Sequence, residues 1–182
     1  MDENNKIEQL EHKVEKLTEQ VLRLQKQMLT ITGEKDANLI WKRNATDEFM
    51  IKLVYPGIFN YINNPTAGFP KNRKKIAQEL KPGQYMFLYV TSPEKKIIGL
   101  TKVVSEMNVT EGRWPYSVDL EWVINPKPGV KFSDVGLDIR PRPGDTLYAL
   151  SEEKAQELID TLNKQIDLDQ STLDYLAGKY KE

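Results

Sequence analysis

A chain of 182 residues, 39% hydrophobic and 29% charged, can hold one domain with a real core plus an appendage, and its composition is that of a folded, water-facing protein. It contains no cysteine, which excludes disulfides, thiolate chemistry and cysteine-containing zinc sites and fits a reducing compartment. Its net charge of −1 hides a pattern: residues 49–148 carry 14 basic and 9 acidic side chains, against 8 and 10 in 1–48 and 4 and 8 in 149–182. The basic middle is a modest footprint of the kind nucleic acid uses.

The N-terminal stretch DENNKIEQLEHKVEKL is charged from its start, and no apolar run approaches bilayer length, so neither a signal peptide nor a membrane span is expected and a cytoplasmic location follows. Ile7, Leu10, Val14, Leu17, Val21, Leu24, Met28 and Ile31 are spaced alternately by three and four residues. That is a heptad seam, with branched residues at a and leucine at d, and it predicts a parallel two-stranded coiled coil over residues 1–32. A helix packed on its own domain would show a wider apolar stripe. The single histidine, His12, falls at an f position facing water, which removes histidine acid/base and metal chemistry. Residues 33–48 form a polar linker, beginning at Gly33.

From Phe49 the period changes. FMIKLV predicts a buried strand, and YPGIFNYINNPTAGFP a turn-rich connection with room for one helical turn. KNRKKIAQEL is a short amphipathic helix with a basic outside, stopped by Lys81-Pro82-Gly83. QYMFLYVT and IIGLTKVVSEM pair as a hairpin across SPEKK, and PYSVDLEWVI is the next strand, followed by proline- and glycine-rich loops around a short strand at LDI. TLYAL is the last strand, Ser151 caps the helix EEKAQELIDTLNKQI, and Ser171 caps a terminal helix within a tail spanning 167–182. The fold expected is α+β: five or six mostly antiparallel strands closing, or nearly closing, a small barrel with flanking helices.

Carboxylates cluster only at predicted helix ends and faces, no general base stands beside a serine, and no Gly-rich phosphate loop is present. These absences point away from an enzyme and from a bound cofactor or metal. Aromatics offer more: Tyr55, Phe69, Tyr89, Trp114 and Tyr116 fall at strand ends or in loops beside Pro or Gly. Single loop aromatics often do no more than cover a barrel mouth. With Lys71, Arg73, Lys74, Lys75, Arg113, Arg140 and Arg142 they make the pairing nucleic acid wants, rings for bases and cations for phosphates.

Tyr55-Pro56, Gly68-Phe69-Pro70, Lys81-Pro82-Gly83-Gln84, Tyr89-Val90, Ile98-Gly99 and Trp114-Pro115-Tyr116, in that order over about Phe49 to Leu162, resemble the EVE domain of the PUA-like superfamily, related to the YTH domains that read methylated adenine. Ala67 stands where many members have Trp, and Gln84 replaces the aspartate of a Lys-Pro-Gly-Asp turn. The resemblance implies a PUA-like barrel over 49–166 and a non-catalytic reader of a methylated or hydroxymethylated flipped base in DNA or RNA, of a kind used in restriction of modified DNA. It implies a pocket of Tyr55, Gly68, Phe69, Pro70, Tyr89, Trp114 and Tyr116, with Ser92 or Asn60 reading the base edge and the seven cations on the backbone. The coil would supply a dimer with two sites, or hold an effector such as a nuclease. A protein-interaction adaptor whose barrel is a scaffold, or a small-molecule or nucleotide sensor, are the other classes the sequence admits.

Overall fold

The computed structural model describes residues 48–142, 144 and 146–181, together with the backbone of Leu39–Ile40. The chain separates into two compact units, 1–37 and 38–182, and everything described belongs to the second. The heptad seam from Ile7 to Ile31, and the parallel dimer expected of it, lie outside the described residues.

Among the described residues eight strands form one sheet: β1 (Leu39–Ile40), β2 (Phe49–Val54), β3 (Thr66–Phe69), β4 (Tyr85–Val90), β5 (Lys96–Val103), β6 (Asn108–Val109), β7 (Tyr116–Ile124) and β8 (Leu147–Leu150). Their order is β1-β8-β2-β4-β5-β7-β3, with β6 attached to β7. Every pairing is antiparallel except β2 with β4. That parallel pair needs a long crossover. It is supplied by a 3-10 helix at Pro56–Tyr61, β3, a 3-10 turn at Lys71–Arg73 and α1 (Lys74–Glu79).

Strand periodicity divides the apolar residues between two faces. Met50 and Val54 of β2 and Met86, Leu88 and Val90 of β4 enter one core, while Ile51, Leu53, Phe87 and Tyr89 enter the other. The first core also takes Ala67 and Phe69 from β3, at the far edge of the sheet, so the sheet curls until its edge strand faces β2. It is a curled mixed sheet with β1 and β3 as its edges, not a barrel closed by hydrogen bonds. The second core is covered by α2 (Glu152–Asn163) through Ala155, Leu158 and Leu162, and Ser151 caps that helix by accepting from Lys154 N. The helix α3 (Gln170–Lys179) lays Leu173, Leu176 and Ala177 against the first core.

Gly99 lets β5 and β7 approach. A Cβ there would stand 2.6 Å from Ile124 O and 2.8 Å from Cζ3 of Trp122, whose indole N–H donates to Ile62 O at 2.6 Å.

Three local expectations change. The turn-rich connection contains β3 as a true strand. Leu137–Ile139 forms no strand; a 3-10 helix at Phe132–Val135 precedes it, ended by Gly136 at φ 65°. The cap of α3 is Asp169, which accepts from Thr172 N at 2.7 Å, and Ser171 lies inside the helix donating to the same carboxylate.

Candidate nucleic-acid interface

Tyr55 stands at the N-cap of the first 3-10 helix, 55% exposed, where Pro56 starts the turn. Its ring meets Trp114 at 5.5 Å between centroids with a 40° tilt. The Arg113 guanidinium carbon lies 5.6 Å from the Tyr55 ring centre and 5.2 Å from that of Trp114, within cation–π range of both. Gly68 is the outward-facing residue of β3 beneath Trp114, and a Cβ there would come within 3.1 Å of Trp114 Cβ. The glycine therefore seats the indole against the strand.

Beside this cluster, Tyr116 opens β7 opposite Phe69 and Val109, half-buried, with Lys74 Nζ 5.7 Å from its ring centre. Lys71, Lys74 and Lys75 are exposed around α1, and Arg73 donates from Nη2 to Gly144 O at 3.1 Å. That bond brings the basic turn to the loop bearing Arg140 and Arg142, both exposed. Arg140 Nε stands 3.7 Å from Asp138, with both side chains 91% exposed. Two segments almost seventy residues apart thus share one basic surface.

Other expected site residues lie elsewhere. Phe69 is not a loop residue on a pocket wall: alternation along β3 turns Ala67 and Phe69 inward, and Phe69 has no exposed surface. Pro70, next to it, is half-buried and caps the turn at Lys71–Arg73. Tyr89 faces the other core, because β4 sends odd and even positions to opposite sides of the sheet. It stacks on Phe132 at 4.1 Å and 13°, and burial pushes its hydroxyl pKa up. Ser92 is exposed in the β4–β5 turn, and Asn60 lies near the far end of the 3-10 helix that Tyr55 begins, bonded to Gly57 O and Tyr180 O.

Behind the surface lies a residue the sequence analysis passed over. Lys52 sits inside β2 on the first-core face, 4% exposed, donating to Thr146 Oγ1 at 2.8 Å and Leu53 O at 3.0 Å, with Nζ 4.6 Å from the Phe69 ring centre. Among the described residues no carboxylate pairs with it, and desolvation lowers its pKa from 10.5 to about 7. The visible signal was a lysine in the middle of FMIKLV. Among the described residues no group of three His, Cys, Asp or Glu side chains is placed to hold a metal, and no helix is long and apolar enough to cross a membrane.

No protein-family model matches the sequence, and no curated protein does. Among solved structures the chain is similar to the YTH domain of Zygosaccharomyces rouxii MRB1 in complex with N6-methyladenosine RNA, at 11% identity and TM-score 0.48 over 68% of this chain and 92% of that one. It is similar to the Mmi1 YTH domain in complex with RNA, at 15% identity and TM-score 0.49 over 68% of this chain and 80% of that one. It is also similar to ASCH from Zymomonas mobilis, at 11% identity and TM-score 0.44 over 70% of this chain and the whole of that one.

Proposed function

We propose that the protein is a non-catalytic nucleic-acid-binding module of the EVE type that reads a modified base. The observation that carries this is the surface cluster of exposed Tyr55 and Arg113 with half-buried Trp114, two rings with a cation against them, bordered by the basic residues of α1 and the Arg140–Arg142 loop. Rings at 5.5 Å touch each other, and a base between them needs about 7 Å, two stacking steps of about 3.4 Å. The base enters as Tyr55, at the surface, rotates away from Trp114, and an added methyl or hydroxymethyl group fills apolar space that the plain base leaves empty. Phosphates flanking the base are held by Lys71, Lys74, Lys75 and the two loop arginines. The N-terminal heptads pair two such modules so that weak sites act together on one polymer, or seat an effector such as a nuclease.

The test is fluorescence anisotropy of the full chain against matched single- and double-stranded oligonucleotides carrying cytosine, 5-methylcytosine, 5-hydroxymethylcytosine, adenine or N6-methyladenine at one position. One modified base is expected to bind about tenfold tighter than its parent, near 1.4 kcal/mol. Tyr55→Ala and Trp114→Ala should each weaken binding about tenfold or more, the worth of one stacked base, with an unchanged circular dichroism spectrum. Equal affinity for all five bases would leave a binder that is not a reader. No binding at all would sink the proposal in favour of an adaptor working through its coil.

A further inference from the structure

We infer that the cleft between the first 3-10 helix and α3 is a second nucleobase subsite, selective for a base with hydrogen-bond donors on its edge, guanine foremost. This rests on the proposed function and adds a specificity element to it. The cleft has a volume of about 300 Å³ over an apolar floor that includes Phe59 and Leu173. That is the lower end of the range for ligand sites.

Its polar wall consists of Asn60, Asn63, Asn64, Gln170 and Asp174, with Tyr61 at the edge, 64% exposed. Hydrogen bonds within the protein decide what this wall offers. The Asn60 amide donates to Gly57 O at 3.3 Å and Tyr180 O at 3.0 Å, which orients the side chain and leaves its oxygen as the free group. Gln170 Nε2 donates to Asp174 Oδ1 at 2.8 Å, leaving the Gln170 oxygen and the rest of the carboxylate as acceptors. The oriented groups are therefore acceptors and call for a ligand that donates.

Among the described residues no lysine or arginine lines the cleft, and Asp174 repels phosphate, so it suits a base rather than the backbone. Carboxylates and side-chain amides are the groups that take amino-bearing base edges, while Tyr61 offers a ring to stack on. Guanine matches best because N1–H and the N2 amino group lie side by side, one to donate to Asp174 Oδ2 and the other to the Gln170 side-chain oxygen, the acceptors that the Gln170–Asp174 bond leaves open. Placement suits one strand serving both sites. Tyr55 and Tyr61 bracket one 3-10 helix, six residue steps at about 2.0 Å each, or about 12 Å apart. That is three to four nucleotides at about 3.4 Å, so one strand lying along the helix reaches both sites.

The test titrates the full chain with guanosine, adenosine, cytidine, uridine and ribose, following side-chain amide resonances of Asn60, Asn63, Asn64 and Gln170 by NMR. Guanosine is expected to shift them most, and uridine, whose single N3–H lies between two carbonyls, and ribose least. Asp174→Asn and Tyr61→Ala, both at exposed positions, should abolish the shifts while leaving the backbone spectrum of the sheet unchanged. In a strand otherwise of thymidine, one guanine three to four nucleotides from the modified base should raise affinity about tenfold, within what one bidentate pair discriminates. Absent guanosine shifts, or equal shifts from uridine or ribose, would overturn the subsite even if oligonucleotides still respond to Trp114→Ala. Guanosine shifts with oligonucleotide binding insensitive to Tyr55→Ala and Trp114→Ala would uphold the subsite and count against the proposed function instead.

Discussion

Lys52 carries the sharpest consequence of burial at a single residue. Its folded pKa of about 7 lies below the 10.5 of an exposed lysine, so between those values the unfolded chain binds a proton that the folded chain does not. Stability from this group is therefore lowest below pH 7 and rises through the alkaline range, at about 1.4 kcal/mol per pH unit at most. Urea midpoints measured from about pH 7 to about pH 9 should climb in the native chain and stay nearly flat in Lys52→Met, which keeps the volume and removes the charge. A parallel climb in both would show that the slope originates elsewhere. At this scale the sequence was partly legible. Tyr55, Trp114 and Arg113 come together in the structure, whereas Phe69 and Tyr89 occupy separate cores. A proline and a glycine beside an aromatic look the same whether they flank a loop or the end of a buried strand. Only pairing of Gly68 with Ser117 and Phe69 with Tyr116 sets which side chain points inward.

Among the described α-helices, α3 is held to the core most lightly. None of its residues is fully buried, and it is held by the Asp169 cap, by the packing of Leu173, Leu176 and Ala177, and at its end by Tyr180. Tyr180 stacks on Phe59 at 6.2 Å and donates its hydroxyl to Glu94 in the β4–β5 turn. Burial raises the Glu94 pKa, but hydrogen bonds from Tyr180 and Lys96 and the charges of Lys96 and Lys179 outweigh it and leave the carboxyl below its usual range. Asp169→Ala removes the acceptor for the first turn of α3. Hydrogen exchange should then speed in residues 170–179 and leave β2 and β4 protected, and guanosine binding to the cleft should weaken because Gln170 and Asp174 sit in that first stretch. Uniformly faster exchange across the sheet would mean that α3 and the sheet unfold as one unit. The strands β2, β4, β5, β7 and β8 were legible from apolar runs, and α2 from its Ser151 cap. The four residues of β3 were not, because a strand of TAGF has too few apolar positions to show a period.

For the whole molecule, charge placement matters more than charge total. A net charge of −1 predicts little attraction to nucleic acid, yet α1 and the Arg140–Arg142 loop gather on one surface. Replacing Lys71, Lys74 and Lys75 together by alanine should weaken binding to every single-stranded oligonucleotide alike and flatten the slope of log affinity against log salt by about 2, near 0.7 per phosphate contact. An unchanged slope would place the phosphates elsewhere. Composition and local period were enough for the α+β class, the strand-forming runs, the heptad seam and the absence of cysteine chemistry. The parallel pairing of β2 with β4, the burial of Lys52 and the common surface of Tyr55, Trp114 and Arg113 came from the folded arrangement. Each depends on contacts between residues far apart in the chain, for which a local pattern carries no information.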